Sequence, residues 1–363
     1  MAVSDSQLIH WLAHEKPRVR GAALDLLTGS YSNEQAILPA VFESWDRFGA
    51  DVAFHDFPLI SHLPIPAELV PECLRRAQAM SADRKITDRT CRCAGKLIEA
   101  LSVAHAPLFA AYLNDIERLK ETSKIFFRIS IDSMRARAEA LHRESNSIEI
   151  DFEDGSPTDM ANALECLLHR GEARPWIERG LSEIGEQESL PQLASVVLEF
   201  MSRHEVPGFE EALLPLVDRH DAFAADAATI ALVRYRNQKV QQLIADALPK
   251  LSRNGQLRCI DIVRRARLPK SAEFLRFLLP FGVDLVVQDS ARIAEVLLFD
   301  FDRLEDWLEA YLLLEDRSVR RVGFALPLAE AVAKNHCPIE WGRIEELVES
   351  RAGRGFFQDE PTR

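Results

Sequence analysis

Apolar residues in this chain recur at helical spacing, and one arrangement of apolar, small and polar positions returns several times. The stretch from Leu8 to Leu27 sets it out as two short amphipathic helices joined at Lys16-Pro17. Copies can be laid over it without gaps. Leu12, Leu216 and Leu312 hold one position, seven residues before Val19, Phe223 and Val319. Ala23, Ala227 and Gly323 follow four residues later, and then Leu26, Ile230 and Leu326. An apolar residue at each offset keeps one stripe of a helix facing its neighbours. The small residue in the middle lets a second helix approach. Pro17 suits the first turn of a helix, where its missing N–H has no intrahelical partner to lose.

Taking the Val19 position as a marker, weaker copies fall at Leu190, Leu257 and Ser290, so that successive steps are 33, 34, 33 and 29 residues. Regular steps in this range mark a stacked helical array. The template resembles a HEAT repeat, particularly the short bacterial HEAT-like kind first noted in phycobilisome lyases. The resemblance rests on Pro17, Val19, Arg20, Ala23, Leu26 and Leu27, and again on Asp316, Val319, Arg320, Gly323 and Leu326. At Leu257 the copy departs from it, because Asp261 and Arg264 stand where Ala and Leu are expected. It implies an all-α fold, an α-α superhelix in which antiparallel helix pairs stack as a solenoid.

The expected organisation follows from where the pattern holds. N-terminal HEAT-like repeats occupy 1–145, with an irregular segment at 50–66. Within them Ser32 and Gln35 read as a capping box, and Gly49 as the end of that helix. The irregular segment reads as a degenerate helix, with exposed Phe54 and Phe57 as the alternative, a docking spot. Residues 146–156 form an acidic interrupting loop: Ile148, Ile150 and Phe152 alternate with Glu149, Asp151 and Glu153, a strand-like period of two. Ser156-Pro157 then opens a helix with Asp159 in its first turn. C-terminal repeats follow over 157–351, closed by a capping helix from Pro338, and 352–363 is a tail.

Composition narrows the function. Lys and Arg number 44 against 57 Asp and Glu, a net charge of −13, which is the opposite of what a duplex-DNA binder shows. Nucleic acid is therefore not expected as a partner. The six cysteines are scattered, with Cys91 and Cys93 the one close pair, and no Cys-x-x-Cys occurs. No signal segment or bilayer-length apolar run is visible, so a cytoplasmic protein without membrane attachment is the simplest expectation.

Candidate chemistry is sparse. In the acidic loop, an EF-hand numbering that starts at Asp151 brings Gly155 one position too early, which favours a solvated turn. His10 and His14 lie one helical turn apart but lack a third ligand at a recognisable spacing. No nucleophile elbow, phosphate loop or dinucleotide fingerprint appears. No metal, cofactor or catalytic residue is expected. The arginines of the second helices stand out: Arg20, Arg89, Arg92, Arg135, Arg137, Arg320 and Arg321. The resemblance implies that second helices line a concave face, so Arg89, Arg92, Arg135, Arg137 and Arg321 form a candidate ladder for an acidic peptide or phosphate. It also implies a structural use, an arginine after the valine paired with an acid of a neighbouring repeat, which suits Arg20 and Arg320 best. The function this points to is a non-catalytic scaffold or adaptor holding a protein or peptide on the concave face. The same resemblance reaches two enzyme classes, DNA glycosylases of the AlkD type and bilin lyases.

Overall fold

A computed structural model describes residues 4–266, apart from 55–59, 61, 83–87, 123–126, 142–144 and 186–189. The expected repeats, cap and tail beyond these residues, with Arg320 and Arg321, lie outside the described residues. Every element among the described residues is helical. The chain divides into two compact units: Ser4–Tyr235, and a second to which the chain from Arg236 onward belongs. The break falls at Arg236, a non-glycine residue with φ of 43°, and not at 146–156.

In the first unit, α1 (Asp5–Trp11) and α2 (Pro17–Gly29) are the two helices of the template. Leu8, Leu12, Ala23, Leu24 and Leu27 are all buried. Leu26, by contrast, is 42% exposed, as is 45% of Phe223 in the later copy. The stripe is therefore carried by Leu24 and Leu27 and by their counterparts Ala228 and Ala231. The marker positions lie toward its rim.

Helix α3 (Ile37–Phe48) starts later than Ser32 and ends at Gly49, whose φ of 87° lies in the region open to glycine. Ser32 is not a cap: its hydroxyl donates to Asp5 at the start of α1. The described part of 50–66 forms turns, with no helix there. Phe54 is buried, so it offers no docking spot; Phe57 lies outside the described residues. Then come α4 (Val70–Ser81), α5 (Arg89–Val103), α6 (Leu113–Thr122) and α7 (Arg128–Ala140).

The strand-like reading of the acidic segment is corrected by α8 (Ser145–Asp154). Ile148 and Phe152 are four residues apart, share one helical face and are buried, and Phe152 stacks on Trp176 with ring centres 3.9 Å apart. The alternation at period two contained a subset at period four, and burial selected the second. Helix α9 (Pro157–Arg170) opens with the capping box of Ser156 and Asp159 and closes at Gly171 in the left-handed conformation. It packs on α7 and also on α11 (Gln192–Arg203), which carries the first unit straight through the expected interruption. Between them α10 (Arg174–Ser182) lies so close to α11 that a Cβ on Gly180 would meet the Val197 side chain at 2.6 Å. The unit ends with α12 (Glu210–Leu213) and α13 (Ala222–Tyr235). The second unit contributes α14 (Gln238–Ala247) and α15 (Arg253–Ala266), with Val240, Ile244, Cys259, Ile260 and Val263 buried.

Side-chain bonds to backbone carbonyls tie together segments far apart in sequence in the first unit. Arg47 donates to Ala13 across 34 residues, Arg89 to Phe54 across 35, Arg137 to Ala104 across 33, Arg219 to Gly185 across 34 and Arg234 to Ser202 across 32. Ser44 and Leu12 repeat the pattern across 32. The Ala104 and Ser202 carbonyls stand at the ends of α5 and α11, where a carbonyl has no intrahelical donor and an arginine also complements the helix dipole.

Candidate functional site

The arginines singled out in the sequence are placed apart. Arg137 is buried and donates to the carbonyls of Ser102 and Ala104 and to the Glu165 carboxylate. Arg89 donates to the Phe54 carbonyl at 2.9 Å. Arg135 is exposed and paired with Glu117 and Glu139. Arg92 is exposed on α5, and Arg321 lies outside the described residues. Arg20 is buried, but the bonds it makes are to carbonyls and not to an acid of a neighbouring repeat as expected: it donates to those of Ala53, His14 and Glu15, and its guanidinium sits 3.8 Å from the Phe48 ring centre. His14 accepts through Nδ1 from the Lys16 N–H at 3.0 Å. No group of three or more His, Cys, Asp or Glu among the described residues is arranged to hold a metal ion.

What the fold does bring together is a cavity of about 820 Å³ inside the first unit. Its walls are the turn after α2, residues 62–67, the turn after α5, the end of α11 and the last turn of α13. On one side lies Tyr31, held at φ of 47° and buried. The Arg234 guanidinium stands 4.3 Å from its ring centre, and the His62 ring 5.0 Å away at 59°. Residues about 200 apart in sequence therefore touch. A left-handed tyrosine is strained, and such strain persists only where the surroundings enforce it.

Across the cavity, His105 and His204 meet edge to face at 5.3 Å, and His204 also packs on Phe200 at 4.6 Å. Beneath them Glu165 projects from the buried face of α9, 3% exposed. Its Oε1 accepts from Arg137 and, at 3.1 Å, from Nε2 of His204; its Oε2 accepts from the Ala106 N–H at 3.3 Å. Burial alone would push this carboxyl up. The His204 hydrogen bond and the charges of Arg137, His204 and His105 outweigh it and hold Glu165 at about 2. His105 is pushed down by burial, with Glu165 opposing and His204, Arg137 and His169 adding to the effect. A second cavity of about 40 Å³ lies against Glu165 and His204.

Most of this site escaped the sequence pattern, because its members come from turns far apart in the chain. One signal was present. Glu165 interrupts the run Ala163-Leu164-Glu165-Cys166-Leu167, and an acid inside an apolar run must find a cationic partner.

No family model, curated protein or solved structure matches the chain.

Proposed function

We propose that this chain is a HEAT-like helical-repeat protein, its helix pairs stacked as a superhelical solenoid, and that it acts as a non-catalytic scaffold gripping a segment of a partner protein. The recurrence of side-chain-to-carbonyl bonds at 32 to 35 residues supports the repeat reading, since it reproduces the steps of the sequence pattern. The cavity carries the functional reading: about 820 Å³, lined by turns of several repeats and mixing apolar with polar groups. The arginine ladder supports it less well, since Arg89, Arg135 and Arg137 already serve contacts within the chain.

The test is affinity capture from native lysate with the full chain and two variants. Asn33→Trp fills the cavity rim, and Arg135→Glu alters the α7 surface. A stoichiometric protein partner lost with Asn33→Trp and kept with Arg135→Glu is the expected result. A partner lost only with Arg135→Glu would return the site to the arginine surface, and co-purifying nucleic acid or chromophore with no protein would overturn the scaffold.

A further inference from the structure

Glu165 pins three parts of the first unit to one carboxylate. Its Oε1 takes the guanidinium of Arg137 on α7, and also Nε2 of His204 at the end of α11, 3.1 Å away. Its Oε2 takes the N–H of Ala106, in the turn after α5. Arg137 ties the same turn down through the Ser102 and Ala104 carbonyls. The turn and the end of α11 then meet through two imidazoles, His105 and His204, edge to face with centres 5.3 Å apart. Both rings line the large cavity, so their contact is part of its wall.

The charged and titratable groups facing His105 are Glu165 and His169 of α9, Arg137 of α7 and His204 at the end of α11. Of these only Glu165 attracts a cation, and it is 3% exposed with both oxygens engaged. Elsewhere in the lining Glu199 pairs with Arg203, Arg234 donates to the Ser202 carbonyl, His62 packs on Tyr31 and Glu205 is exposed to water. We propose that this cluster is a pH-operated latch: a proton on His105 places a positive ring beside His204 and Arg137, the turn at 103–106 draws away from the end of α11, and the cavity wall loosens. Burial holds the His105 imidazole below its ordinary 6.5, with Glu165 opposing and His204, Arg137 and His169 adding to the effect. The opened chain therefore takes up this proton first, so the contact is firm above about pH 6.5 and weakens as pH falls below it. Glu165 titrates at about 2 and stays charged throughout this window. The regulatory consequence rests on the cavity being the binding site: its hold on a partner weakens over the same range.

Amide hydrogen exchange of the full chain at pH 7.5 and 5.5, corrected for the intrinsic chemical rate, reads the latch without any partner. Segments 103–108 and 199–206 should exchange faster at pH 5.5, by up to about tenfold per pH unit for one proton, with α3 and α10 unchanged. His105→Phe keeps a ring against His204 and removes the proton site, so these segments should exchange alike at both pH values. The natural chain supplies a check that does not depend on the variant folding: the midpoint of the faster exchange must coincide with the titration of the His105 ring signals. Unchanged exchange in the natural chain, an equal rise in His105→Phe, or a midpoint apart from the His105 titration would overturn the proposal. The binding reading fails separately. A captured partner held as tightly at pH 5.5, while these segments open, would place that partner outside the cavity and leave the latch standing.

Discussion

Arg137 and Glu165 show how much can depend on one pair of side chains. Both are buried, and each satisfies the other along with helix-end carbonyls, a backbone N–H and His204. Removing one partner leaves a charge stranded in the interior, so Arg137→Ala is expected to cost about 3–5 kcal/mol in urea unfolding. The carboxyl also gives stability a pH signature. Its folded pKa is depressed to about 2 from an ordinary 4.5. The unfolded chain therefore takes up this proton first on acidification. The contribution is complete above about pH 4.5 and is lost as pH falls toward 2. A pH series of unfolding midpoints should show this decline in the natural chain and lack it in Glu165→Gln. The cysteines are the opposite case. Burial pushes the thiols of Cys73 to about 12 and Cys93 to about 11, so both should resist a thiol reagent at pH 8 until denaturant is added.

At the scale of the helix, the sequence was most legible where local chemistry and packing agree. The box at Ser156 and Asp159 and the stop at Gly49 are settled by groups within a few residues, and both stand where the pattern put them. Ser32 carried the same kind of signal, but its hydroxyl serves Asp5, 27 residues away, and α3 starts downstream. The segment 145–154 was misread for a related reason: Ile148 and Phe152 satisfy two periods, and only the presence of Trp176 decides between them. Two substitutions probe this scale. Ser156→Ala should cost about 1 kcal/mol by removing the cap. Gly180→Ala should cost about 1–3 kcal/mol, because the added methyl forces α10 away from Val197. Thermal or urea unfolding reads both.

In the first unit as a whole, sequence reasoning recovered the helical class. It did not recover the site. Periodicity names residues that face a neighbouring helix, whereas the cavity is made by turns that meet only once the unit has closed, Tyr31 under Arg234 and His105 against His204. Of the arginines conspicuous in the sequence, Arg20, Arg89 and Arg137 hold backbone carbonyls of other segments within the first unit. The central claim is that this cavity is where the partner is held. Amide hydrogen exchange on the full chain, with and without its captured partner, tests it most directly. Protection concentrated in residues 31–35, 62–67, 103–108 and 199–205 is the predicted result. Protection confined to the exposed faces of α5 and α7 around Arg92 and Arg135, with these turns unchanged, would contradict it.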